Sequence, residues 1–169
     1  MIRLLLTTLI CTFTLPAQQP VKSDSSLFDF WIGEWELSWK DPDGTTASGK
    51  NSITKILDGT VIREHFEALT GQSKGFKGES VSLLDQRTGE WKQTWVDNQY
   101  SYLPFTGGDE KSGERFFAQE FIGKKGFLVK QKMVFRSITK NSFTWDWMNS
   151  LDSGKTWITN WSINYMRKK

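Results

Sequence analysis

The sequence predicts an all-β protein: a single antiparallel up-and-down β-barrel of about ten strands, with a short N-terminal plug at one end. Three observations predict it. Apolar and polar residues alternate with period two, as in Trp35, Leu37 and Trp39 against Glu34, Glu36, Ser38 and Lys40, and that period marks a half-buried strand. Turn signals such as Asp41-Pro42-Asp43-Gly44 and Asp58-Gly59 recur at near-regular spacing, and no stretch of useful length carries a helical period. Nine tryptophans and twelve phenylalanines in 169 residues are a heavy load of side chains that favour strands and line apolar cavities. A meander of this kind closes as a barrel or stacks as a sandwich; the barrel is expected because closure removes exposed edges.

Taken from the start, residues 1–17 read as a signal peptide. Arg3 supplies the positive region, Leu4 to Leu15 the apolar run, and Pro16-Ala17 before Gln18 a cleavage site. The run is too short to span a bilayer. Ile10 before Cys11 is not the small residue that a lipoprotein signal requires, and cleavage removes Cys11, the single cysteine. The mature chain then has no disulfide or thiol chemistry, although the expected location is secreted or periplasmic. Residues 18–26 form a polar tether and residues 27–169 the barrel domain, with residues 27–32 as its plug.

After the strand that opens on Gly33, a second is expected over Thr45 to Leu57 and a third over Thr60 to Thr70, whose start is β-branched. Gly71 to Gly75 turns the chain and Lys77 to Leu84 returns it. Asp85 to Gly89 is a loop, followed by a strand over Glu90 to Asn98. Tyr100 to Thr106 is the least regular segment, because Pro104 suits an edge or a bulge. Gly107 to Glu114 reads as polar loop. Arg115 to Ile122, Phe127 to Ile138, Asn141 to Met148 and Thr156 to Met166 complete the series.

Parity sorts the faces. Glu64 shares a face with Ile62, Phe66 and Ala68, while Arg63, His65 and Glu67 form the wet one. Trp91, Gln93, Trp95 and Asp97 lie together, as do Phe117, Gln119 and Phe121. Phe127, Val129, Gln131, Met133 and Phe135 make another inward row, with Lys130 and Lys132 outward. Phe143, Trp145 and Trp147 follow, and Trp157, Trp161, Ile163 and Tyr165 close the set. An aromatic interior with a few convergent polar groups is the usual form of a small-molecule site. The expected ligand-binding residues are Glu64, Phe66, Trp91, Gln93, Trp95, Asp97, Gln119, Gln131, Trp145 and Trp161. A buried Glu64 must be paired, protonated or wet; in a filled core these polar groups would instead satisfy one another.

These residues resemble a calycin. Lipocalin-like barrels begin with Gly-x-Trp, here Gly33-Glu34-Trp35, and carry a basic residue after the last strand that covers the tryptophan, here Arg167. More specifically, the chain is similar to a family of bacterial secreted lipocalin-like domains. The marks are Phe28 to Trp35, Ile56-Leu57-Asp58-Gly59 to Glu64, Gly89 to Asp97, and the Gly-Lys-Thr-Trp turn at Gly154 to Trp157. The resemblance implies a fold, a secreted setting and structural roles for Gly33, Trp35 and Arg167, with no established activity. The Gly-x-Trp start also resembles nitrobindin-like haem barrels, but those require a late axial histidine and none follows His65.

Other classes find little support. The net charge of +3 is scattered, so neither nucleic acid nor a membrane surface is an expected partner. A single histidine, on the charged face, argues against zinc and against a Ser-His-Asp triad, and no cofactor is expected. Ser150 to Trp157 matches an Asp-box, which in a single copy reads as a hairpin turn. The expected function is binding of a small apolar or amphiphilic molecule, in an oligomeric state that the sequence leaves open. The alternatives are an envelope interaction domain with a filled barrel and, third, a carboxylate-dependent hydrolase using Glu64 and Asp97, the one inward acidic pair.

Overall fold

The structure, a computed structural model, describes residues 24–110, 112–124 and 126–169. The signal-peptide expectation for residues 1–17 and most of the tether lie outside the described residues. Ten antiparallel strands follow one another around a closed barrel: β1 (Gly33–Lys40), β2 (Thr46–Ile56), β3 (Val61–Ala68), β4 (Lys77–Asp85), β5 (Glu90–Asp97), β6 (Tyr102–Asp109), β7 (Arg115–Ile122), β8 (Leu128–Arg136), β9 (Ser142–Ser150) and β10 (Ile158–Arg167). Each strand pairs with its sequence neighbours, and β1 pairs with β10 through Trp35 opposite Arg167 and Leu37 opposite Tyr165. The alternation in β1 is the burial pattern itself: Trp35, Leu37 and Trp39 are buried while Glu34, Glu36 and Lys40 are exposed.

The plug is a single 3-10 turn, Asp29–Trp31, laid across one end. Phe28 and Trp31 are buried, at 0% and 1% exposure. The Phe28 ring stacks on Phe117 at 4.4 Å and meets Trp91 edge-on at 5.0 Å. Trp31 lies against Phe135 at 5.2 Å, and Phe30 against Phe143 at 5.6 Å. The last residues of the expected tether join this end, because the Asp24 carbonyl accepts a hydrogen bond from the Trp91 indole at 3.1 Å. Rings from the plug and from four strands thus fill the lower part of the barrel.

Three expectations need correction. β6 runs on through Gly107, Gly108 and Asp109, where a polar loop was expected, because these residues pair with Phe117, Phe116 and Arg115 of β7. Glycines carry no side chain to show an alternation, so the strand was hidden. Phe127 is 63% exposed instead of inward. Pairing between β6 and β7 stops at Thr106 opposite Ala118, so the β7–β8 hairpin projects past the barrel wall and carries Phe121, Ile122 and Phe127 out of the core. Pro104 lies in the part of β6 that β7 leaves unpaired, consistent with its missing N–H donor. Finally, a bulge between Thr159 and Trp161 breaks the parity of β10. Trp161, Ile163 and Tyr165 keep the inward face, whereas Trp157 sits outside beneath the Lys132 ammonium, 4.3 Å from its ring centroid.

Candidate ligand cavity

Midway up the barrel the inward face turns polar. β3 places Glu64 opposite Ser80 of β4 and next to β2, and Gln93 of β5 stands opposite Ser82 of β4. Glu64 Oε1 accepts from Asn51 Nδ2 at 2.7 Å, and Oε2 accepts from Ser80 Oγ at 2.7 Å. Asn51 Nδ2 also donates to the Tyr165 hydroxyl at 3.1 Å. Gln93 Nε2 donates to Ser80 Oγ at 3.3 Å and to Ser82 Oγ at 3.1 Å. These residues are all buried, Glu64 at 6% exposure. Two carbonyl oxygens of the network, Asn51 Oδ1 and Gln93 Oε1, accept nothing among the described residues.

Burial dominates the electrostatics here. It pushes the Glu64 carboxyl up to about 7, against the smaller opposing pull of the hydrogen bonds from Asn51 and Ser80. Burial also raises the Tyr165 phenol well above its ordinary range, and the nearby Glu64 charge adds to that. No lysine, arginine or histidine forms an ion pair with Glu64 among the described residues; its hydrogen-bond partners are neutral.

Above this polar layer, on the side away from the plug, the barrel holds a cavity of about 190 Å³. Glu64 and Tyr165 contribute to its wall, together with Ile163 and Met133 at the same level. Its sides are aromatic: Phe66 and Phe105 with Trp95, Trp145, Trp147 and Trp161. The Trp161 indole meets Trp39 edge-on at 5.2 Å and Phe66 at 5.8 Å, while Trp145 and Trp147 stack nearly parallel at 6.4 Å. The Trp95 ring occupies the space that a side chain on Gly78, its neighbour on β4, would fill. Phe76 from the β3–β4 loop, Leu103 and Asp97 complete the lining.

Six of the ten residues expected to bind ligand therefore line one cavity: Glu64, Phe66, Trp95, Asp97, Trp145 and Trp161. The other four lie elsewhere. Trp91 packs beneath the plug. Gln93 is held between the β4 serines. Gln119 donates to Gln131 Oε1 at 2.8 Å, and neither lines the cavity. Asp97 faces the cavity but also fastens the β5–β6 turn. Its Oδ1 accepts from the backbone of Gln99 and Ser101, at 2.9 and 3.1 Å, and its Oδ2 from the Trp95 indole at 3.0 Å. Burial works to raise this carboxyl, but the hydrogen bonds from Trp95, Ser101 and Gln99 outweigh it and hold Asp97 below the ordinary range. Phe76, Leu103 and Phe105 gave no sequence signal for a site. Met133, Trp147, Ile163 and Tyr165 could be read as inward but not as cavity residues.

At the opposite end, the Arg167 guanidinium lies over Trp35, 4.2 Å from the ring centroid. It also donates to the backbone carbonyls of Phe30, Ile32 and Lys140 at 3.2, 2.8 and 2.8 Å. Gly33 makes room for it: its φ is +140°, and a Cβ there would collide with the guanidinium. The Trp35 indole donates to the Trp31 carbonyl at 2.7 Å. His65 is on the outer face, 3.1 Å from Glu79 Oε1. In the Asp-box turn, the backbone and then the hydroxyl of Thr156, with Ser150, draw the Asp152 carboxyl down to about 2.

No family model and no curated protein matches the chain. Among solved structures, it is similar to a de novo designed fluorescence-activating β-barrel, with 10% identity and a TM-score of 0.45, over 86% of this chain and 99% of that one. A redesigned β-barrel matches with 10% identity and a TM-score of 0.41, over 87% and 99% respectively.

Proposed function

We propose that this protein binds a small, largely apolar molecule in the half of the barrel away from the plug. The observation that carries the reading is the division of the interior. Aromatic rings from the plug fill one end, while at the other a comparable set of rings encloses about 190 Å³ beside a few polar groups. A cavity of roughly 150 Å³ lined by apolar side chains accepts benzene, so a single ring with a short tail is the right scale. The calycin resemblance and the Arg167–Trp35 contact agree with a ligand-binding barrel. The stretch from Arg3 to Ala17 supports action outside the cytoplasm, in a secreted or periplasmic setting.

Calorimetric titration with 2-phenylethanol tests the reading. Binding should saturate at one molecule per chain, and Leu103→Trp, which fills the cavity from its wall, should weaken it at least tenfold with an unchanged far-ultraviolet circular dichroism spectrum. Absence of saturable heat for the natural chain overturns it. For the location, the N-terminus of protein recovered from cells should lie near Gln18; a cytosolic protein that begins at Met1 contradicts that part.

A further inference from the structure

The cavity has a polarity of its own. The titratable side chains on its wall are Glu64, Asp97 and Tyr165; among the described residues no lysine, arginine or histidine lines it. The cations nearest in sequence are committed on the outer face, where Arg63 pairs with Glu79 and Lys50 and Lys77 pair with Glu67. Unfilled acceptor positions stand at the polar end of the cavity. Both Glu64 oxygens keep a free lone pair after one hydrogen bond each; behind the wall, Asn51 Oδ1 and Gln93 Oε1 accept nothing among the described residues. Beyond Glu64 the wall is made of indole and phenyl groups, whose negative quadrupoles attract a cation. A carboxylate ligand would face the Glu64 and Asp97 charges, and an alcohol would answer one acceptor.

We propose that the cavity takes a small molecule bearing a protonated amine, with the ammonium seated against the Glu64 carboxylate and the apolar body among the tryptophans. This rests on the binding reading above. An ammonium supplies donors where the Glu64 carboxylate on the wall keeps unfilled lone pairs, and it brings the charge that Glu64 lacks. Binding then depends on the ionisation of Glu64. Around it stand Asn51 of β2 and Ser80 of β4, which donate to it, and Tyr165 of β10; Gln93 of β5 lies behind Ser80, and Asp97 farther along the wall. Tyr165 stays neutral and Asp97 stays charged between pH 6 and 8, so Glu64 alone changes state there. Seating the cation draws the proton off Glu64 and releases it to solvent.

The test compares 2-phenylethylammonium, 2-phenylethanol and phenylacetate by isothermal titration calorimetry at pH 6 and pH 8, in two buffers of different ionisation enthalpy. The amine should bind roughly ten- to a hundredfold tighter than the alcohol at pH 8, the scale of a charge-assisted hydrogen bond in an apolar site. It should weaken about tenfold at pH 6, as expected for a carboxyl that titrates near 7, and should release protons near neutral pH. The alcohol should show neither effect and phenylacetate should not bind. Glu64→Gln should bring amine affinity down to that of the alcohol and abolish its pH dependence. Equal affinities for amine and alcohol, or tighter binding of phenylacetate, overturn the amine assignment and leave the cavity reading standing. Failure of all three ligands to bind overturns both.

Discussion

Glu64 is where burial and charge conflict most sharply in this protein. Its folded-state carboxyl titrates near 7 against an ordinary value of 4.5, and burial is the cause. The native state therefore keeps a proton that the unfolded chain has released. That stabilisation is fully present below about 4.5 and is lost as the pH rises through about 7. A shift of this size corresponds to something on the order of 3 kcal/mol. Glu64→Gln keeps the shape and the hydrogen bonds to Asn51 and Ser80 in altered form, and it does not titrate. Its stability relative to the natural chain should rise between pH 5 and pH 8 by on the order of 2–3 kcal/mol, read from denaturant unfolding at the two pH values. Parallel stabilities across that range would show that Glu64 titrates as a solvated carboxyl.

At the scale of elements, the Trp35–Arg167 clamp ties the end of β10 to the start of β1 and to the plug carbonyls. Trp35→Ala should cost on the order of 3–5 kcal/mol, as for other large buried aromatics. Arg167→Ala should cost less, and much of its effect should vanish in the double variant, because the cation–π contact needs both groups. Additive losses would contradict the contact. The seam between β6 and β7 is the weak line of the wall, since their ladder covers only Thr106 to Asp109 against Ala118 to Arg115. Hydrogen exchange should therefore be fastest, within these strands, at amides facing the seam in residues 119–122. Uniform protection along both strands would show that the seam is closed.

For the molecule as a whole, period-two alternation made the fold legible, because each strand has one wet and one buried face. The same alternation separated inside from outside for Glu64, Phe66, Trp95 and Trp145. It could not give height along the barrel. Trp91 and Trp95 share a face, yet one packs under the plug and the other lines the cavity, and only the register of ten strands separates them. Pro104 hid the contribution of Leu103 and Phe105, the bulge in β10 hid the true side of Trp157, and Phe76 reaches the cavity from a loop that carries no period. Whether the interior is hollow depends on how rings from different strands meet, which no single strand encodes.

The division of the barrel into a filled half and a hollow half is most directly tested by indole N–H resonances, since nine tryptophans report from both ends. In a titration with 2-phenylethanol followed by two-dimensional nitrogen–proton nuclear magnetic resonance, the signals of Trp95, Trp145, Trp147 and Trp161 should shift together and saturate. Those of Trp31, Trp35 and Trp91 at the plugged end should stay in place. Shifts centred on the plug tryptophans, or no saturable shift at any of the nine, would contradict a ligand cavity in this barrel.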